Sequence, residues 1–184
     1  MKRIWVDKDK CVGCKTCEIQ CAVERQSVSK TLAGAVRENP RPVPRVRVSG
    51  QTGFSLALQC RHCTDALCVM ACPSGAMARD PETGVVAVDA AKCRGCWMCV
   101  MACPIGAVVP NGDYHVAMKC DACAKMEEPA CVAGCPTGAL ICGEEDDFRR
   151  ILSVKRRQYA MFVRATAGVG PTGVDFINEE ADAK

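Results

Sequence analysis

The sequence has few of the features that mark secreted proteins, membrane proteins or conventional aromatic cores. Aromatic residues make up only 4% of its 184 residues. Because Phe, Trp and Tyr normally supply much of a core's buried area, we expect this interior to be built around something else. The N-terminus lacks the apolar stretch of a signal peptide, and no apolar run is long enough to cross a bilayer. These absences predict a cytoplasmic protein with no direct membrane span.

Catalytic motifs are equally scarce. No constellation of serine, histidine and carboxylate residues suggests acid–base or nucleophilic chemistry. Residues 168–173 match the glycine-rich dinucleotide fingerprint, but no strand–helix unit follows them, as that motif requires. We therefore interpret this segment as part of a tail, and we predict that the chain is not catalytic alone.

Cysteine, in contrast, is abundant, with 17 residues. Dense cysteines in a cytosolic chain point to metal, because thiols stay reduced there. Sixteen of them form four quartets, and Cys142 lies outside all four. The quartets are Cys11, Cys14, Cys17 and Cys21; Cys60, Cys63, Cys68 and Cys72; Cys93, Cys96, Cys99 and Cys103; and Cys120, Cys123, Cys131 and Cys135.

The first and third quartets match the bacterial ferredoxin run C-x2-C-x2-C-x3-C. Three thiolates spaced by two residues wrap one cuboidal cluster, and the fourth faces away toward a different cluster. Pairs of zinc ribbons are the alternative, but zinc ligands come in C-x-x-C pairs and leave the third and fourth cysteines unexplained. Iron–sulfur clusters are therefore the favoured cofactors, and disulfides are the least favoured reading.

Internal repeats indicate how the quartets are organised. Residues 6–14 match residues 88–96, and each segment is a short alternating strand that leads into a cysteine loop. The motif C-P-x-G-A begins at Cys72, Cys103 and Cys135, and its glycine permits a tight turn after the last cysteine. Residues 54–58 and 116–118 are predicted as further strands. These patterns predict an α+β fold with two ferredoxin-like dicluster domains.

Two segments lie outside the quartets. Prolines at 40, 42 and 44, followed by an extended run at 45–48, predict an extended linker with an edge hairpin. Acidic residues 144–147 precede Phe148 and predict the start of a C-terminal helix. We expect this helix and the tail beyond it to form an arm for partner docking.

The four quartets, including the x4 spacing in the second and the x7 spacing in the fourth, resemble those of four-cluster iron–sulfur subunits of the dimethyl-sulfoxide-reductase type. The resemblance covers about residues 1–142 and is greatest to small subunits that serve carbon monoxide dehydrogenase, formate dehydrogenase with hydrogenase, or tungsten aldehyde oxidoreductase. It implies two interleaved domains, in which the first quartet pairs with the fourth and the second with the third. The implied segments are 1–21 plus 110–142 (first dicluster domain), 22–52 (linker and hairpin), 53–109 (second dicluster domain) and 143–184 (arm).

The same resemblance implies the ligands of four 4Fe–4S clusters. Cluster A takes Cys11, Cys14, Cys17 and Cys135; cluster B takes Cys120, Cys123, Cys131 and Cys21; cluster C takes Cys60, Cys63, Cys68 and Cys103; and cluster D takes Cys93, Cys96, Cys99 and Cys72. The formal charge of +3 would then fall to about −5, because ligating thiols are deprotonated. The chain's basicity is therefore no argument for nucleic-acid binding.

Several other residues are considered for roles near the clusters or in binding. His62 lies inside a cysteine loop, where a hydrogen bond to a cluster and simple solvation are equally expected. Trp97 is expected to shield a cluster from water. Complete cysteine quartets leave no need for His115 as a ligand, the basic run 155–157 is expected to be a solvated helix face, and Cys142 is expected to be a structural thiol.

We therefore predict an electron-transfer subunit with four 4Fe–4S clusters. It would relay electrons between a catalytic redox subunit and a second electron carrier or flavin subunit. The catalytic subunit would be a molybdenum- or tungsten-pterin oxidoreductase, a carbon monoxide dehydrogenase or a hydrogenase. A cluster-based redox sensor is an alternative, although no effector-binding module is visible. A structural subunit that self-associates into filaments is the other alternative.

Overall fold

The computed structural model describes residues 2–51 and 53–167, and the chain divides into one unit of residues 1–145 and another of residues 146–184. The strands are β1 (Arg3–Val6), β2 (Arg47–Gln51), β3 (Phe54–Leu58), β4 (Met77–Arg79), β5 (Val86–Val88), β6 (Val108–Asn111), β7 (Val116–Lys119) and β8 (Leu140–Gly143). The helices are α1 (Thr16–Arg25), α2 (Leu32–Ala35), α3 (Leu67–Met70), α4 (Met98–Ala102), α5 (Ala130–Ala133) and α6 (Glu145–Ala167). The fold class is α+β, as predicted.

The strands pair as four antiparallel two-stranded ribbons, namely β1–β8, β2–β3, β4–β5 and β6–β7. The β1–β8 ribbon joins the two ends of the first unit, with Arg3 opposite Gly143 and Val6 opposite Leu140. The other three ribbons each join strands that are neighbours in the sequence. The strands predicted at 54–58 and 116–118 are confirmed as β3 and β7.

Helices α1 and α4 begin at equivalent positions of the internal repeat. The residue before each is left-handed, Lys15 with φ 61° and Trp97 with φ 63°, so the chain turns sharply out of the cysteine loop and into the helix. Helix α1 then continues past Cys21 to Arg25, and α1 packs against α5 while α3 packs against α4.

The segment 22–52 is less extended than predicted. It contains the end of α1 and the short helix α2, in which Thr31 Oγ1 accepts a hydrogen bond from Gly34 N–H. Threonine is a favourable N-cap, and no proline precedes Pro40 to disfavour helix. The predicted hairpin is present as β2–β3, with Arg47 opposite Leu58.

Two buried cores hold the first unit together, and both combine small aliphatic side chains with cysteines. The first contains Ile4, Val46, Ala57 and Leu140 together with cysteines of the first and fourth quartets. The second contains Met77, Val86, Val108 and Ala117 together with cysteines of the second and third quartets. Cysteines thus occupy interior positions that aromatic residues fill in other small domains.

Helix α6 begins at Glu145, the last residue of the first unit, and continues in the second unit; its start confirms the helix predicted at the acidic run. Acidic residues in the first turn are favourable because they face the positive end of the helix dipole. No helix in the ranges 2–51 and 53–167 is both long enough and apolar enough to cross a bilayer. The glycine-rich segment 168–173 lies outside the described residues.

Candidate metal centres

One cavity in the first unit is lined by four thiols from two quartets. Cys11, Cys14 and Cys17 come from the loop between β1 and α1, and Cys135 comes from the segment before β8. Val6, Ala57 and Leu140 are among the apolar side chains that complete its wall. The pairing of β1 with β8 brings these two distant segments together.

A second cavity has the same construction. Its thiols are Cys60, Cys63 and Cys68 from the loop before α3 and from α3 itself, and Cys103 from the end of α4. Leu67, Val86, Ile105 and Val108 are among the apolar residues around it. Each of these two cavities therefore combines three thiols of one quartet with the last thiol of another.

The remaining predicted ligands form two further groups, in which thiols lie close enough to influence one another. Burial raises the pKa of Cys131, and nearby Cys120, Cys21 and Cys123 raise it further. Burial likewise raises the pKa of Cys99, and nearby Cys72, Cys93 and Cys96 add to the effect. Two of the four predicted ligand sets therefore line cavities of their own, and members of the other two sets lie near one another.

Burial disfavours the ionised form of several of these thiols, although the pKa values of Cys14, Cys72 and Cys135 are lowered. Burial raises the pKa of Cys17 to about 11 and that of Cys120 to about 12. Metal ligation requires the thiolate, so binding a metal must release protons and supply the compensating charge. The soft, sulfur-only donor sets suit iron–sulfur clusters, and we expect cluster insertion to be coupled to folding.

Backbone amides donate to the sulfur of the last cysteine in the three C-P-x-G-A motifs. The donor–acceptor distances are 3.3 Å from Ala139 N to Cys135 Sγ, 3.3 Å from Ala107 N to Cys103 Sγ and 3.4 Å from Met77 N to Cys72 Sγ. The glycine of each motif has a left-handed φ between 60° and 64°, which confirms the predicted tight turn. Such donors stabilise a thiolate and so favour ligation.

The loops of the second and fourth quartets supply equivalent donors. His62 N lies 3.4 Å from Cys60 Sγ, and Ala122 N lies 3.3 Å from Cys120 Sγ. Both donor residues have a left-handed φ. In the part of the chain that the structure describes, no group of three or more His, Cys, Asp or Glu converges as the site of a single ion.

His62 is buried and hydrogen-bonds within the protein. Its Nδ1 accepts a hydrogen bond from Val86 N–H at 3.1 Å, and the residue is only 2% exposed. Burial, reinforced by the charge of Lys119, lowers its pKa to about 4, so the ring is neutral near pH 7. Arg79 holds the same loop by donating to the backbone carbonyls of His62 and Cys63.

An ion-pair network beside the fourth quartet was missed by the sequence analysis. Asp121 Oδ2 accepts from both Arg25 and Arg45, and Asp121 Oδ1 accepts from Cys123 N–H at 3.2 Å. Burial alone would raise the pKa of Asp121, but the two guanidinium groups outweigh burial and hold it below its ordinary value. The position of Asp121 between two predicted ligand cysteines could have drawn attention to it. Its partners Arg25 and Arg45 come from distant segments, so the ion pairs themselves could not be predicted from the sequence.

The other residues considered earlier lie outside the four thiol groups. His115 is exposed, and Arg156 and Arg157 are exposed on α6. Cys142 is half-buried on β8 opposite Ile4, where burial raises its thiol pKa. Trp97 is half-buried and precedes α4 with its left-handed backbone.

Comparisons with known proteins agree on the type of site. The family model described as a 4Fe-4S dicluster domain matches residues 52–145. The chain is 39% identical over 174 residues to "Electron transport protein HydN" of Escherichia coli strain K12, covering 86% of this chain and 97% of that protein. It is 36% identical over 152 residues to "Thiosulfate reductase electron transfer subunit PhsB" of Salmonella typhi, covering 77% of this chain and 74% of that protein.

Among solved structures, the chain is similar to one from the active site complex BamBC of benzoyl coenzyme A reductase with benzoyl-CoA. The TM-score is 0.40 at 24% identity, over 92% of this chain and 98% of that one.

Proposed function

Because the chain belongs to the family of 4Fe-4S dicluster proteins and its relatives are electron-transport proteins, we propose that it carries four 4Fe–4S clusters and relays single electrons within an oxidoreductase complex. Clusters A to D would have the ligands assigned above. Clusters A and B would occupy segments 1–21 and 110–142, and clusters C and D segment 53–109. The chain itself would carry electrons and convert no substrate.

The observation that carries this proposal is the mixed origin of the thiols in two cavities. Cys135 lines a cavity with Cys11 and its quartet, and Cys103 lines a cavity with Cys60 and its quartet. An exchanged fourth ligand is the arrangement that two-cluster ferredoxins use. The exchange supports an assignment in which every cluster depends on two distant parts of the chain.

The residues of the chain would perform three tasks. Four thiolates would occupy every protein ligand position of each cluster, which leaves no open metal site for a substrate. The amides at Ala107 and Ala139 would stabilise sulfur charge, and apolar side chains such as Val86 and Leu140 would limit the access of water. When bound, a 4Fe–4S cluster supplies a one-electron centre whose potential depends on these surroundings.

The relatives guide the choice of partner. Their printed names describe an electron transport protein and the electron transfer subunit of a thiosulfate reductase. We propose that this chain, as a subunit of the dimethyl-sulfoxide-reductase type, connects a catalytic redox subunit to another electron carrier or flavin subunit. A molybdenum- or tungsten-pterin oxidoreductase, a carbon monoxide dehydrogenase or a hydrogenase would fit the catalytic role.

The first test is anaerobic iron and sulfide analysis of the purified chain, with EPR spectra after dithionite reduction. Four clusters require about sixteen irons and sixteen sulfides per chain, with interacting signals from the reduced clusters. Zinc in place of iron would overturn the proposal. Turnover of a substrate by the isolated chain would overturn its non-catalytic role.

A matched pair of cysteine variants tests the ligand assignment. Cys135→Ser removes a proposed ligand of cluster A, so we expect a loss of up to four irons. Cys142→Ser changes a half-buried thiol outside the quartets and should retain the full iron content. Equal iron in the two variants would contradict the role of Cys135.

A further inference from the structure

The residue before the first cysteine of a quartet differs in burial along the chain. It is lysine in three quartets: Lys10 and Lys92 are exposed, whereas Lys119 is only 4% exposed. In the second quartet the corresponding residue is Gln59, which is 2% exposed. Positions 59 and 119 are therefore the two buried members of this set.

Gln59 and Lys119 each donate a side-chain hydrogen bond to a backbone carbonyl. Gln59 Nε2 donates to the carbonyl of Ile4 at 2.8 Å, and Lys119 Nζ donates to the carbonyl of Val86. Ile4 and Val86 are themselves equivalent, since each lies two residues before the valine that opens the sequence repeat. Lys119 precedes Cys120 of the first core and reaches Val86 in the second core, whereas Gln59 precedes Cys60, which packs against the same core as Ile4.

The donor side chains of these two hydrogen bonds differ in charge. The amide of Gln59 is neutral, whereas the other acceptor of Lys119 Nζ is again a carbonyl, that of Cys120, at 3.0 Å. Among the described residues, no carboxylate lies within ion-pair distance of Lys119, and Asp121, two residues further on, pairs with Arg25 and Arg45. A buried cation without a counter-charge is unfavourable, so this site calls for an anion.

Thiols of two proposed clusters lie around Lys119. Cys120, a proposed ligand of cluster B, is its neighbour in the chain. Val86, whose carbonyl accepts from Lys119 Nζ, lines the cavity of the proposed cluster C ligands, which are Cys60, Cys63, Cys68 and Cys103. Cys60 of cluster C also packs against the core that contains Cys120, so the two ligand sets are close to each other at this point.

We propose that Lys119 is a positioning residue for electron transfer, a fixed positive charge between clusters B and C that raises their reduction potentials. This inference rests on the proposed four-cluster function. Adding an electron makes a cluster more negative, and a nearby cation in a dry interior stabilises that reduced state. Gln59 contributes no such charge at the equivalent position, so the two halves of the chain are electrically unlike.

Lys119→Gln tests the proposal directly, because it gives position 119 the residue that the other half already has. Potentials are measured by redox titration followed by EPR on the intact, cluster-loaded chain. We expect at least one midpoint potential to fall by roughly 59 mV, a tenfold change in a one-electron equilibrium constant. Lys92→Gln is the matched control, since it removes an exposed lysine from the same place in another quartet and should leave all potentials unchanged.

Lys119→Arg should keep the original potentials because it keeps the charge. A shift as large as in Lys119→Gln would overturn the proposal, and so would full iron with unchanged potentials in Lys119→Gln. Should Lys119→Gln fail to assemble, Gln59→Lys adds a charge at the equivalent position and must raise a potential; no rise would refute the idea. A wild-type chain without about sixteen irons would instead refute the underlying four-cluster function.

Discussion

Replacing Asp121 by asparagine should destabilise the cluster-loaded protein without removing any proposed ligand. The carboxylate of Asp121 neutralises Arg25 at the end of α1 and Arg45 in the following segment. It also accepts a hydrogen bond from Cys123 N–H, inside the loop of the fourth quartet. Asparagine preserves the size of the side chain but leaves two guanidinium groups without their counter-charge.

The burial of the three side chains determines how much stabilising free energy we expect Asp121→Asn to remove. About a quarter of each side chain is exposed, with 25% for Arg25 and Asp121 and 23% for Arg45. Exposed pairs contribute at most about 1 kcal/mol, whereas breaking a fully buried pair costs about 3–5 kcal/mol. We therefore expect a loss of about 2 kcal/mol, which is about thirtyfold in an equilibrium constant.

The assay is the rate at which visible cluster absorption disappears in urea under anaerobic conditions. If the network breaks before the step that releases the clusters, the rate should rise by up to about thirtyfold in Asp121→Asn. Asp113→Asn is the matched control, because it removes the same charge from an exposed position. Equal rates in the two variants would refute the stabilising role of the network.

Two further predictions concern the backbone around the cysteine loops. Gly95→Ala should lose iron more readily than Gly106→Ala: both glycines have a left-handed φ, but only at Gly95 would the new Cβ meet a backbone oxygen, that of His115 at 2.7 Å. Both variants carry about 1–2 kcal/mol of backbone strain, so equal iron content and equal urea resistance would contradict the importance of this close approach. Arg79→Gln should accelerate cluster loss relative to Arg94→Gln, because Arg79 donates to two carbonyls of the second-quartet loop, whereas Arg94 is exposed. Charge-assisted hydrogen bonds contribute about 1.5–3 kcal/mol, and identical rates in the two arginine variants would argue against this clamp.

Much of the local structure could be predicted because it depends on residues close together in the chain. The strands at 54–58 and 116–118, the glycine turns after the last cysteines and the start of the C-terminal helix were all predicted correctly. Helix α2 was missed because its four residues depend on a single cap at Thr31, and so short a pattern carries little periodicity.

For the candidate site, too, some features follow from local sequence and others depend on the tertiary structure. Cysteine spacing by itself predicted sites with only sulfur ligands, because three cysteines separated by two residues each lie in one loop. That Cys135 and Cys11 line one cavity was implied only by the family resemblance and not by cysteine spacing. The tertiary structure alone decided that Asp121 meets Arg25 and that Lys119 is buried while Lys92 is exposed. These contacts join segments far apart in the chain. They form only when particular strands pair and particular faces pack, and short-range sequence patterns do not encode those choices.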